Sequence, residues 1–366
     1  MVILRHRQPE NAGHEDWPGI VGEQVSKRVD WVDTAKGICI IFVVMMHSVL
    51  GTEKSTGDLG WMHPIVEFAK PFRMPDFFLI SGLFLANVIN RDWRLYLDRK
   101  VVHFAYFYVL WMTIQMIVKA PIFAEDMGWF GVLEFYALSF VVPLGTLWFI
   151  YMLPIFFVVC KLAHDAKVPW QLILGIAALL NIFPIETSWY LLEEFCARFV
   201  FFYIGYIFAT QIFKLSDLFR DNVLAGLAYL GIWAVINGTL VHMDLAGKPG
   251  IGLVLGVAGA GAIIVTSTLL VRAGILNFLT TFGANSIVIY LAFFFPMGVT
   301  RQILLKLNLL DTGTMSFIVT TIAVISPMIL FWMINRTNIG WFLFRRPQWA
   351  YLQGTLPAAK QQAAAE

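Results

Sequence analysis

Charge is scarce in this chain. Only 14% of its 366 residues are charged, and the net charge is +2. So weak a positive balance gives no footing for a nucleic-acid partner. Cysteine is scarcer still. Cys39, Cys160 and Cys196 each sit in an apolar run without metal-ligand spacing, so they read as small apolar packers and no metal is expected. No internal repeat is visible, which counts against a secondary transporter built from inverted halves. A cleavable signal pattern is also lacking. Residues 1–30 are polar, carry Pro9, Gly13, Pro18, Gly19 and Gly22, and are expected to form a loose cytoplasmic arm.

What is abundant is apolar sequence, at 59% of the residues. It comes in blocks of about 18–24 residues, the length that spans a bilayer as a helix. Ten such blocks occur, near 31–50, 73–91, 101–119, 145–163, 168–186, 193–213, 222–242, 250–272, 283–306 and 314–335. A shorter stretch at 128–142 contains Glu134 and ends at Pro143, so it reads as an interfacial or re-entrant segment. The fold class expected is an all-α polytopic membrane protein with about ten transmembrane helices. With the N-terminus inside, most lysines and arginines fall on inner loops, so the positive-inside rule favours N-in and C-in. The membrane domain is 31–335. Residues 336–366 read as a cytoplasmic amphipathic segment, around Gly340–Leu352, followed by a tail.

The chain is organised around Arg28–Leu50. Lys36 and His47 are eleven residues apart, about three turns and ~16 Å of rise, so they share one helix face. Asp33 lies near the same stripe. Ionisable groups inside a membrane helix usually line a site or a water-filled cavity. The plainer alternative is a snorkelling Lys36 with His47 hydrogen-bonded at the outer interface.

Several later stretches carry a structural reading and a functional one. Pro75 and Asp76 suit the start of a helix, and Ser81-Gly82 suits close helix packing. Arg91, Arg94, Arg99, Lys100 and His103 are either stop-transfer charge on anionic lipid or a dock for a polyanion. Trp148 and Tyr151 fit an outer aromatic belt. Glu194 and Arg198, four apart, either pair structurally or line a polar cavity. Gly252 and Gly256 are in GxxxG register and mark a packing helix, not a phosphate loop. Asn285, Ser286 and Tyr290 give the ninth block a polar face.

Taken in order, these phrases resemble the integral-membrane acyltransferase-3 family. The family opens with a basic residue, ten others, then histidine, here Lys36 and His47, flanked by Asp33, Gly37 and Ser48. FFLISGLF (77–84), RKVVHFAYFY (99–108), LWF (147–149) and GANSIVIY (283–290) resemble its later motifs. The branch most similar holds fucose 4-O-acetyltransferases and other glycan O-acetylases. Three positions depart from the pattern. His103 stands where arginine is usual, Phe107 where proline is usual, and Phe293 where many members carry a histidine. The last leaves His47 as the main catalytic candidate.

The resemblance implies an enzyme of the inner membrane that moves an acyl group, usually acetyl, from cytoplasmic acetyl-CoA to a sugar hydroxyl near the outer side. Such O-acetylation modifies a surface polysaccharide, a lipid-linked sugar or another glycan acceptor. Lys36, Arg99, Lys100 and His103 would meet the phosphates of CoA. His47 would act as general base or as acyl carrier. Ser48, Ser81, Asn285 or Tyr290 would donate to the developing oxyanion. Asp33, Trp148, Glu194 and Arg198 are candidates for holding the substrates. Membrane lipids are the remaining partners, and a homo-oligomer is compatible with the sequence. A transporter or flippase for a lipid-linked glycan or small solute, and a non-catalytic membrane sensor, are the alternatives.

Overall fold

A computed structural model describes residues 29–187, 189–307 and 309–356. The expected arm up to residue 28 and the tail from 357 onward lie outside the described residues. Every regular element among the described residues is helical.

The hub is α1 (Asp30–Thr56). Asp30 and Asp33 occupy its first turn, where carboxylates complement the positive end of the helix dipole. It stops at Gly57, whose φ of 82° lets its N–H reach the Glu53 carbonyl. Around α1 pack α3 (Arg73–Gly82), α11 (Ile251–Ala273), α12 (Phe278–Ala284) and α15 (Thr312–Thr337). The crossing of α1 and α12 is close because glycines face each other. A Cβ on Gly37 would strike the Leu279 carbonyl, and one on Gly283 the Asp33 carbonyl. Gly256 and Gly259 on α11 likewise leave room for the rings of Phe201 and Phe72, so of the Gly252–Gly256 register it is Gly256 that packs between helices, while Gly252 meets only the Ala246 carbonyl.

All ten expected blocks contain helix, but they are not ten unbroken helices, and the block 73–91 is helical only to Gly82. By length and composition six helices can cross a membrane, and eight if two bent pairs each count as one span. The pairs are α8–α9 (Tyr190–Ile207 and Ala209–Asp221), bent by 73°, and α13–α14 (Ser286–Ala292 and Phe294–Leu307), bent by 52°. The other two blocks form short helices: α3, with 10 residues, and α7 (Trp170–Ile182), with 13. The long apolar faces of α10 (Val223–His242) and α15 remain largely exposed, as lipid-facing helices do.

The 128–142 stretch is the return arm of a hairpin. Within α5 (His103–Leu138) the backbone leaves helical geometry at Gly128, at φ 70° and ψ 167°. Beyond it the chain runs back along the first arm. Phe123 meets Phe135 with centroids 5.5 Å apart, and the Thr113 and Tyr136 hydroxyls are 2.9 Å apart. The Tyr108 hydroxyl donates to the Ser139 carbonyl and accepts from the Leu144 amide at 3.2 Å. This is re-entrant geometry with its backbone groups satisfied by protein. It delivers the chain to α6 (Trp148–Asp165) inside the molecule instead of at its rim.

The loops gather at two ends. At one, Trp31 and Phe84 both meet Phe213, Trp93 donates to Asp165 at 2.7 Å, and Asp98 binds Arg346 at 2.5 Å. Both ends of the described chain lie here. Residues 340–356 form two short 3-10 turns docked on α5 by the bonds from Tyr106 to Phe342 and from Trp111 to Leu343. At the opposite end His63 meets Glu53 at 2.9 Å, Thr312 meets Thr56 at 3.1 Å, and Trp61 faces Phe317.

Candidate active site

His47 lies in the last third of α1, and its ring lines an internal cavity of about 140 Å³. Five further elements complete the polar walls. Arg73 opens α3, Thr146 sits in the 3-10 turn Gly145–Leu147, Trp148 opens α6, Arg198 comes from α8 and Tyr290 from α13. Two helices therefore begin at this cavity. That is possible because α3 is short and because the α5 hairpin returns the chain to this depth before α6. Phe77, Phe149 and Val43 supply the apolar remainder.

The polar groups are not equally committed. Tyr290 donates to the Thr146 carbonyl and accepts from the Phe149 amide at 3.2 Å, so its hydroxyl is used in holding the turn. Arg198 is paired with Glu194 at 3.1 Å. Among the described residues no hydrogen bond reaches the His47 ring, which is 5.7 Å from Phe293 between centroids. Phe293 thus presents an apolar wall at the position where the resemblance expects histidine. Arg73 Nε and Nη1 and Thr146 Oγ1 are buried without a partner among the described residues.

The cavity therefore brings together His47, Trp148, Arg198 and Tyr290, with Glu194 joined through its ion pair. Trp148 stands in the cavity wall and not in a belt. The remaining sequence candidates lie elsewhere. Lys36 is bonded to Asp33 at 3.3 Å near the start of α1, with its ammonium 6.0 Å from the Phe84 ring. Ser81 donates to the Phe77 carbonyl at 2.7 Å, and Asn285 to the Thr281 carbonyl at 2.9 Å. Ser48 is fully buried. Arg99 and Lys100 are in the π-turn Asp98–Val102, with His103 directly after it. The Lys100 ammonium lies over the Phe157 ring at 4.9 Å.

Cys39 has a partner beyond apolar packing. Its thiol donates to the buried Asp76 carboxyl at 2.7 Å. Arg73 and Thr146 were not singled out by sequence reasoning. Arg73 carries the same signal as Lys36, a cation entering an apolar block, but it reads as flanking charge. Thr146 carries no signal, since threonine is common in membrane helices.

A second cavity of about 410 Å³ opens at the end opposite the chain ends. Glu67, Lys70, Asn181, Asp244 and Lys248 are among its lining residues. Arg198 borders both cavities.

Residues 29–336 match the Acyltransferase domain of the acyltransferase-3 family. The chain is 25% identical over 251 residues, 58% of this chain and 67% of the relative, to the inner membrane protein YcfT of Escherichia coli (strain K12). No solved structure matches the chain. With the family match covering nearly all of the described helices, this multi-pass membrane protein belongs to the acyltransferase-3 family.

Proposed function

We propose that the protein is an O-acyltransferase of the cytoplasmic membrane that moves an acetyl group from acetyl-CoA to a sugar hydroxyl of a surface or secreted glycan. The observation that carries this reading is His47, an imidazole without a protein hydrogen bond among the described residues, facing a cavity whose polar wall is Arg73, Thr146, Arg198 and Tyr290. A histidine held this way is free to take a proton from an attacking hydroxyl.

The donor approaches from the end that carries Lys36, Arg99 and Lys100, whose cationic groups suit the phosphates of CoA. Lys36 and His47 share a stripe ~16 Å long, a length that suits the thin pantetheine arm. The acceptor approaches through the 410 Å³ cavity, where acidic and basic side chains, Asn181 and backbone groups offer the mixed donors and acceptors a sugar needs. Arg198 stands where the two routes meet.

In the transfer, the acceptor oxygen attacks the thioester carbonyl carbon and its proton passes to His47. The C–S bond then breaks, and the proton goes on to the CoA thiolate. A route through an acyl-His47 intermediate uses the same groups. The inner-membrane assignment of the Escherichia coli relative supports the location.

The test is CoA release from acetyl-CoA by the purified protein with a crude glycan acceptor, wild type against His47→Ala. Wild-type release that disappears in a folded His47→Ala protein supports the reading. Equal release by both removes His47 from the centre. No release and no acetyl-CoA binding by wild type removes the acyltransferase.

A further inference from the structure

We propose that Arg73 is a catalytic residue, the donor that receives the negative charge on the acyl carbonyl oxygen, with the Thr146 hydroxyl as its neutral companion. The inference rests on the acyl-transfer reading above and assigns it a component that the sequence motifs did not supply.

Three observations converge on Arg73. First, it borders the same 140 Å³ cavity as His47, a space suited to an acyl group and too small for a sugar and a thioester arm together. Second, its charge is only partly compensated. Nε and Nη1 are buried and without a hydrogen-bond partner among the described residues. The carboxylate that acts on it, Glu67, is held by Lys70 at 3.1 Å, and Glu194 is held by Arg198. The cavity thus has two guanidinium groups and one paired carboxylate, an excess of one positive charge in a low-dielectric setting. An uncompensated buried cation is costly unless a negative charge arrives beside it.

Third, of the other donors considered for this role three are already engaged, and the fourth, Ser48, has an unpartnered hydroxyl but does not line the cavity. Tyr290 is bonded to Thr146, Ser81 to Phe77 and Asn285 to Thr281. Thr146 Oγ1 is the other buried, unpartnered side-chain atom among the described residues that line the cavity.

The chemistry needs such a charge only in passing. When the acceptor oxygen bonds to the carbonyl carbon, the C=O electron pair moves onto the carbonyl oxygen. That pair returns as the C–S bond breaks and CoA leaves as the thiolate. His47 handles the proton and leaves the oxyanion unaddressed. A fixed guanidinium meets it without reorganisation. Arg73 is held in place because α3 is locked to α8. Gly82 lies against the Phe202 carbonyl and Gly205 against the Leu79 carbonyl, with no room for a Cβ at either.

The experiment measures CoA release by full-length protein in detergent for wild type, Arg73→Lys, Arg73→Gln and Arg73→Ala, with His47→Ala as reference. Wild-type activity lost in His47→Ala establishes the underlying reading, so failure there is separable from failure here. Arg73→Gln is expected to lower kcat by about a hundredfold or more, with the acetyl-CoA KM changed by less than about threefold. Arg73→Lys should be intermediate. Millimolar guanidinium should restore part of the activity of Arg73→Ala, which a purely structural defect would not allow. If Arg73→Gln does not fold, Arg73→Lys and the guanidinium rescue decide. A kcat within about threefold of wild type, or a loss confined to KM, overturns the assignment. So does a folded Arg73→Ala that guanidinium leaves inactive.

Discussion

The Tyr290 hydroxyl donates to the Thr146 carbonyl and accepts from the Phe149 amide, so α13 holds the turn from which α6 starts. One phenol thereby satisfies two backbone groups that the re-entrant chain leaves inside the molecule. It also fixes the height of Thr146 and Trp148 against His47.

Tyr290→Phe keeps the ring, 5.7 Å from Phe149 between centroids, and removes only the hydroxyl. A buried carbonyl and a buried amide then lose a partner, a cost of about 1–3 kcal/mol. The expected outcome is a lower unfolding temperature in detergent and a fall in CoA release of about tenfold, the loss that 1.4 kcal/mol would give. Unchanged values for both would mean that other contacts hold the turn.

The Asp98 carboxylate plays a comparable part at the end that carries the chain ends. It is fully buried, faces Arg346 at 2.5 Å and accepts from the Leu352 amide at 2.8 Å. Breaking a buried ion pair from one side typically costs about 3–5 kcal/mol. Asp98→Ala should therefore loosen the 340–356 segment before the helices. Limited proteolysis should cut the variant near Trp349, which is already exposed, faster than wild type. Equal cutting rates would show that Tyr106 and Trp111 alone retain the segment.

What sequence could and could not foresee follows from where the information is stored. The apolar blocks were legible because bilayer thickness sets their length, and all ten contain helix, though only six to eight are spans by length and composition. The breaks were less so. The short, Glu134-bearing stretch after Gly128 marked itself as interfacial or re-entrant, and it forms the return arm of a hairpin. The 73° bend falls at Phe208, itself neither glycine nor proline, and Gly205 three residues earlier serves the packing against the Leu79 carbonyl. In the site, His47, Arg198 and Tyr290 stood out as polar groups in apolar surroundings. Arg73 did not, because a cation at the edge of a block looks like flanking charge until α3 proves to begin inside. Lys36 and His47 share one helix face, as spacing implies, yet the 140 Å³ cavity is lined by His47 and not by Lys36. Lys36 meets Asp33 instead.

The orientation in the membrane can be read from two single cysteines. Asp58 and Asp92 are both exposed and sit at opposite ends of the molecule. The three native cysteines are buried and free, so background labelling should be low. Asp92 lies beside Arg91, Arg94 and Arg99, and positive charge of this density marks the cytoplasmic side. In intact spheroplasts a membrane-impermeant maleimide should label Asp58→Cys at once and Asp92→Cys only after permeabilisation. The reverse pattern would turn the 410 Å³ cavity toward the cytoplasm, and the sugar acceptor would then have to be met before export instead of after it.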